Sequence, residues 1–244
     1  MYTGIKKFIS QYKKPFDRIG KATKKAKGIL KDRGDKLTKA LIEEEVNLIL
    51  EEWNIKTQKG IDAHTLINNK EMKKNPDIIY EGYVKYEEAE ENDKLIDTSI
   101  NKLSSSSIYI EKKIVSNHHM LIGYADKVEV TKDNFINIED YKSWDKLYRS
   151  SSYVVENGFK IAPSFFFSPI NHLQDTNYSE ACLQLSLYMY ILWTYNKKLK
   201  PGSLKIRHIK LNEEGLIIDE EYIEVPYLRE EVKAMLKNKK QILG

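Results

Sequence analysis

The chain has 244 residues, 41% hydrophobic and 31% charged, with a formal net charge of +4. That length supports one large domain, or a domain with a modest extension, and a core that needs no staples. The single cysteine, Cys182, excludes an internal disulfide framework and any four-cysteine zinc or iron–sulfur site.

Residues 1–40 hold 13 Lys/Arg against Asp17, Asp32 and Asp35, a net +10, so the rest of the chain carries −6. Residues 1–35 are Lys- and Gly-punctuated and poor in large apolar side chains, which sets them apart as a basic N-terminal arm. Residues 36–244 are then a single domain with its core at about 50–211. The arm reads equally as a phosphate-contacting segment or as a solvated terminus. The start, Met1-Tyr2-Thr3-Gly4-Ile5-Lys6-Lys7, lacks the apolar stretch of a secretory signal. No apolar run approaches the roughly 20 residues that span a bilayer. A soluble, cytoplasmic protein that is not secreted is expected.

Leu37, Leu41, Ile42, Leu48, Ile49 and Trp53 share a helical stripe, predicting a helix over 36–53. A second helix is expected over 59–74, stopped by Asn75-Pro76. Residues 77–86 are rich in β-formers and read as a strand, and the acidic run 87–93 as a solvated turn or helix. Three β-rich runs follow at 108–115, 121–130 and 135–141, separated by Ser116-Asn117-His118-His119 and Thr131-Lys132-Asp133-Asn134. His118 and His119 are read as turn residues, since two neighbours do not supply a metal site. Residues 143–178 form a long irregular stretch around Phe165-Phe166-Phe167, which reads as a core strand or an interface patch, or else as a base-stacking or duplex-end wedge. An apolar helix at 180–196, a break at Pro201-Gly202, a hairpin of 204–211 and 216–225, and a helix at 227–239 complete the chain. The order predicts an α/β fold, a mixed sheet with helices on its faces. It is not a Rossmann alternation and has no glycine-rich phosphate loop.

Chemistry concentrates on the second and third strands of the meander. Alternation puts Asp140 and Lys142 on one face and Glu139 and Tyr141 on the other. Asp126, in Gly123-Tyr124-Ala125-Asp126, lies on the adjacent antiparallel strand. Two neighbouring carboxylates repel unless a cation intervenes, and oxygen ligands suit Mg²⁺. Lys142 on the same face can orient or help activate water, or steady phosphorane charge; a rim salt bridge is the plain alternative. Gly60 and His64 share a helical face, with His64 either a ligand or a structural histidine. Gln184 and Tyr188 form a second i,i+4 pair. A Gln inside the apolar run Cys182–Leu192 needs polar partners, whereas Tyr188 also reads as a core aromatic.

The order Gly60-x-x-x-His64, Glu111, Gly123-x-x-Asp126, Asp140-x-Lys142, Gln184-x-x-x-Tyr188 resembles the PD-(D/E)XK nuclease superfamily, and within it the RecB-like exonuclease branch found in recombination enzymes and bacteriophages. The resemblance spans about residues 50–195. It implies a restriction-endonuclease-like core of αβββαβ order with an N-terminal helical extension. It also implies Mg²⁺ or Mn²⁺ held by Asp126, Asp140 and the Tyr141 backbone carbonyl, with His64 as an extra metal-site histidine and Glu111 as an acidic neighbour. Lys142 would assist the nucleophilic water, and Gln184 and Tyr188 would orient the Asp-x-Lys residues or the DNA backbone. The implied activity is DNA hydrolysis in recombination, repair or replication, in host cytoplasm for a phage protein. DNA is the implied partner, with a helicase or single-strand annealing protein beside it, since no helicase motif is present. A homo-oligomer is compatible with this, and a membrane is not involved. The proline of the superfamily name is missing before Asp126. The alternative is a nuclease fold kept as a non-catalytic DNA- or protein-binding module.

Overall fold

The computed structural model describes residues 2–82, 95–149, 154–156, 159–161 and 163–243. The chain begins with a two-residue strand, β1 (Thr3–Gly4), and a short helix, α1 (Ile5–Ser10). Ile5, Phe8, Ile9 and Tyr12 recur at the i, i+3, i+4, i+7 spacing of one helical face, and all four are buried in the main core. The first residues of the basic arm are therefore built into the domain, which corrects the boundary placed at residue 35. Lys6 and Lys7 interrupt this short stripe, and the many lysines that follow it masked it. Next comes α2 (Arg18–Asp32), capped by Asp17, whose carboxylate accepts the Gly20 N–H at 2.8 Å. Its Ala22 and Ala26 pack on Ile49.

The two helices expected over 36–53 and 59–74 are one continuous helix, α3 (Lys39–Lys74), of 36 residues and about 54 Å. Its ends carry separate apolar contacts, Ile49 against α2 and Ile67 against the sheet. The polar stretch between them is bridged without a core of its own, so its pattern resembles a break while its backbone bonds continue. Leu37, Leu41 and Leu48 of the expected stripe face solvent. The helix ends at Asn75, as Asn75-Pro76 predicts.

One mixed sheet organises the rest. Its strands are β2 (Ile79–Tyr80), β3 (Ser107–Ser116), β4 (Leu121–Val130), β5 (Phe135–Lys142), and, after a small separate hairpin of β6 (Val154–Glu156) and β7 (Phe159–Ile161), β8 (Lys200–Leu211) and β9 (Ile217–Val225). The spatial order is β2-β3-β4-β5-β8-β9, with β1 joined to β4. The meander falls within a residue or two of its predicted bounds. The expected strand at 77–86 is only Ile79–Tyr80; residues 83–86 and the acidic run 87–93 lie outside the described residues. Pro201-Gly202 does not break the chain before β8 but starts it. A register shift lies opposite, between Ile136 and Ile138. A Cβ on Gly202 would sit 2.8 Å from the Ile136 carbonyl, so glycine permits the close approach.

Between the hairpins runs α4 (Asn177–Tyr195), begun by Thr176, whose hydroxyl accepts the Ser179 N–H at 3.1 Å. It is buried on nearly every side, and it packs with α1 and the last helix, α5 (Arg229–Leu243), over one face of the sheet. The C-terminal part of α3 covers the other face through Ile67, Tyr141 and Ile209. Of the three consecutive phenylalanines, Phe166 is core while Phe165 and Phe167 are exposed. Among the described residues no helix is long and apolar enough to cross a membrane.

Phe8 is fully buried, so Phe8→Ala is expected to destabilise the protein by about 3–5 kcal/mol, measured as a shift in denaturant midpoint. A change within about 0.5 kcal/mol, as for a solvated surface position, would return residues 1–35 to a detached arm.

Candidate active site at a fork in the sheet

Pairing of β4 with β5 runs from Val130–Ile136 at the hairpin to Lys127–Glu139 and stops there. One residue on, the carboxylate of Asp126 takes the place of a backbone acceptor and receives the Tyr141 N–H at 2.5 Å. The Asp126 side chain therefore lies in the plane of the sheet, inside the angle of a fork. At the open end β1 pairs with Leu121 and Ile122 of β4, which brings Ile5 and Lys6 into the gap. Gly123 is needed here: a Cβ would lie 2.7 Å from the Tyr188 ring and 3.1 Å from Ile5 Cδ1.

The fork allows side chains from both faces to meet. From the α3 side, His64 Nδ1 lies 3.6 Å from Asp126 Oδ1, and its ring meets Tyr141 edge-on. One turn later Asn68 Nδ2 donates to Glu111 Oε1 at 2.8 Å. Gly60 lets α3 come this close, because a Cβ there would sit 2.5 Å from Ser143 Oγ. Farther along α3, Glu71 is held by Lys127 at 3.1 Å and by the buried Arg207 at 3.3 Å, and Arg207 also holds Glu220 at 2.6 Å. These ion pairs fix the helix that carries His64.

From the α4 side, Gln184 is 2% exposed and has the partners its burial requires. Its Nε2 donates to Asp140 Oδ1 at 3.1 Å and to the Tyr188 hydroxyl at 2.9 Å, and its Oε1 accepts from Lys142 Nζ at 3.3 Å. Lys142 Nζ forms an ion pair with Asp140 Oδ2. All of the residues singled out in the sequence converge here: His64, Glu111, Asp126, Asp140, Tyr141, Lys142, Gln184 and Tyr188. They sit beneath an open cleft of about 510 Å³ whose walls include Lys6, Lys56, Gly60, His64, Lys142 and Trp144.

Two participants have no counterpart among the sequence candidates. Asn68 is four residues from His64 on the same helical face, so the i,i+4 rule that picked out Gly60 would have reached it. Lys6 carries no such signal, because only the pairing of β1 with β4 delivers it.

Burial and a surplus of carboxylates govern the charges. Burial, then the Asp126 charge, pushes the Glu111 carboxyl up from its ordinary 4.5 to about 7. Glu111 also has a left-handed φ of +53°, a conformation costing about 1–3 kcal/mol in a non-glycine residue, and one that persists only where its surroundings impose it. Burial alone would lower the His64 imidazole, but Asp126 and Asp140 outweigh it and hold the pKa above its usual value. Burial raises Asp126, yet His64, Lys142 and the Tyr141 N–H more than reverse this and keep it ionised. Burial disfavours the Lys142 charge, and Asp140 and Asp126 restore it, so the ammonium stays protonated. Asp140 itself is pushed up, by burial and by Asp126 against the pull of Lys142. Lys6 is lowered, first by the Lys142 charge.

Three carboxylates in one buried corner are hard oxygen donors of a kind that suits a divalent cation, with a borderline imidazole beside them, and Glu111 is raised by burial first and by the Asp126 charge second. In this arrangement the Lys142 ammonium and the Tyr141 amide take up Asp140 and Asp126. Among the described residues no group of three or more His, Cys, Asp or Glu side chains is placed to hold a metal ion. The donor types would suit a divalent cation, but in this arrangement they do not gather around one position. No protein-family model matches the chain, and no curated protein matches it significantly.

Glu111 binds its proton more tightly in the folded than in the unfolded chain. Its contribution to stability is full below about pH 4.5 and is lost as the pH rises through about 7. Glu111→Gln should therefore gain stability relative to the parent by about 1–3 kcal/mol between pH 5 and pH 8, measured by urea unfolding in EDTA. A pH-independent difference would show that Glu111 titrates as an ordinary glutamate.

Proposed function

We propose that the chain is a Mg²⁺- or Mn²⁺-dependent deoxyribonuclease with a restriction-endonuclease-like core, acting as a RecB-like exonuclease in DNA recombination, repair or replication. The observation that carries the reading is the buried set Asp126, Asp140 and Lys142 beneath an open cleft, in which Gln184 ties Asp140 to Lys142 and the Tyr141 amide and His64 hold Asp126. The element order α3, β3–β4–β5, α4, β8 supports the same reading. So does the delivery of Asp126 and Asp140 by adjacent strands.

In this proposal Asp126 and Asp140 hold the cation, with the Tyr141 carbonyl, His64 and Glu111 as the remaining donors. The bound cation would supply Lewis acidity, making water a nucleophile near neutral pH and offsetting phosphodiester charge. Lys142 is protonated and held between Asp140 and Gln184, a position from which a fixed ammonium can stabilise charge developing on a phosphoryl oxygen. Gln184 orients both members of that ion pair. Lys142, which can only donate, and the Asp140 carboxylate, which accepts, fix which way the Gln184 amide points, and the Tyr188 hydroxyl accepts its remaining N–H. Lys6 and Lys56 at the cleft walls would draw in the phosphate backbone, giving steep salt dependence. Strand separation would come from a helicase or single-strand annealing partner.

A second reading has its own observation. Asp126 and Asp140 are satisfied by Tyr141 and Lys142 without a cation, as in a nuclease fold retained as a DNA- or protein-binding module.

The test is hydrolysis of labelled linear duplex, linear single strand and closed circular DNA with Mg²⁺, Mn²⁺ or EDTA, beside Lys142→Ala and Asp126→Asn. Metal-dependent loss of linear DNA only, reduced about a hundred- to a thousandfold in either variant, is the expected result. Cleavage of circles as well would keep the site and make the enzyme an endonuclease. DNA binding without hydrolysis under any metal, unaffected by Asp126→Asn, would select the binding module.

A further inference from the structure

At the far end of the sheet the turn between β3 and β4 presents His118 and His119, which the fork does not use. Asp126 and Leu121 are five residues apart on β4, roughly 17 Å, and Gln184 and Thr194 are ten apart on α4, about 15 Å. The two places are distinct. The turn, the C-terminal end of α4 and one face of α5 enclose a second cavity of about 350 Å³, within the range of small-ligand sites. Its walls carry His118 and His119 from the turn, Tyr190 and Tyr195 from α4, and Lys233 and Lys237 from α5, one helical turn apart. Among the described residues that line it there is no carboxylate. Lys233 itself is bonded to Glu230 at 2.8 Å, on exposed surface.

The turn is held from three sides. Lys239 is buried and donates to the His119 carbonyl at 2.6 Å. Asn117 Nδ2 donates to the Ile96 carbonyl at 2.9 Å, and the Tyr2 hydroxyl donates to Asn117 Oδ1 at 2.5 Å. The imidazoles of His118 and His119 meet edge-on at 4.6 Å. Such fixing of backbone and rings is more than a solvated turn requires, and it presets the geometry of a binding wall.

We propose that this cavity is a nucleotide-binding site, taking a phosphate on Lys233, Lys237 and the histidine pair, with the base against Tyr190 and Tyr195. Lys237, two imidazoles and Lys233, whose ammonium also pairs with Glu230, in a wall with no carboxylate among its described residues, favour an anion. The tyrosine rings, with Ile191 and Leu236, offer the flat apolar surface on which any base stacks. The phosphate could belong to a free mononucleotide or to the end of a DNA strand, and both present the same chemistry. The site does not depend on the nuclease reading.

The experiment is titration calorimetry of the full chain in EDTA with 2′-deoxyadenosine 5′-monophosphate, deoxyadenosine and inorganic phosphate. The monophosphate should bind at or below about 1 mM, and both other probes at least about tenfold more weakly. Lys237→Ala and His118→Ala, both at exposed positions, should each raise the monophosphate Kd at least about fivefold, with unchanged thermal unfolding. Lys142→Ala should leave it unaltered. Absence of binding at about 5 mM overturns the proposal, as does deoxyadenosine or inorganic phosphate binding equally well. Loss of binding in Lys142→Ala with retention in Lys237→Ala also overturns it, by placing the nucleotide in the fork. Lys237-dependent competition by a 5′-phosphorylated oligonucleotide would assign the site to strand ends, and failure to compete would assign it to free nucleotide.

Discussion

The single hydrogen bond from the Tyr141 amide to Asp126 marks where two strands stop being a ladder and become a site. An antiparallel pair satisfies its own backbone groups, and doing so leaves no room for side chains between strands. Once a carboxylate replaces the next carbonyl, the strands separate while the buried amide stays satisfied. The space between them can then be filled from outside. Here β1 enters at the open end, Gly123 yields room to Ile5 and Tyr188, and the carboxylates of both strands face one gap.

The cluster in that gap is not explained by stability. Burying an ion pair such as Lys142–Asp140 costs desolvation that its attraction roughly returns, and apolar replacements of similar volume commonly do as well. A glutamate forced into a left-handed backbone and raised to about 7 adds further cost. Such expense is concentrated where strands, α3 and α4 meet beneath a cleft, the pattern of perturbed groups that accompanies functional sites. The rest of the domain supports it. Arg207 and Glu71 fix α3, and the apolar α4 fixes Gln184 from the opposite face.

Charge is also arranged at longer range. Lys6 and Lys56 line the fork cleft and Lys233 and Lys237 the distal cavity. A body that is acidic outside its first 40 residues thus keeps cations at two concave places. Two of these lysines are themselves paired, Lys56 with Glu52 and Asp145 and Lys233 with Glu230, so the positive potential at each place rests mainly on Lys6 and Lys237.

Local chemistry alone determined much of this. Alternation and turn residues fixed the three-strand meander, Asn75-Pro76 fixed the end of α3, and the spacing of Asp140-x-Lys142 and Gln184-x-x-x-Tyr188 settled which residues share a face, because those periods are properties of the backbone itself. Gln184 was legible for the same reason, since a buried amide must find partners. The continuity of α3 was hidden, because a helix crossing between two separate apolar contacts shows no stripe in the middle. The role of residues 2–12 was hidden too. They sit in a leader whose 13 Lys/Arg over residues 1–40 dominate its composition, while Ile5, Phe8, Ile9 and Tyr12 find a core only after β1 has paired with a strand more than a hundred residues away. The fork, the delivery of Lys6, and the meeting of His64 with Gln184 from opposite faces belong to the tertiary structure, because each depends on where a ladder ends, and strand pairing is a relation between distant segments that no local period encodes.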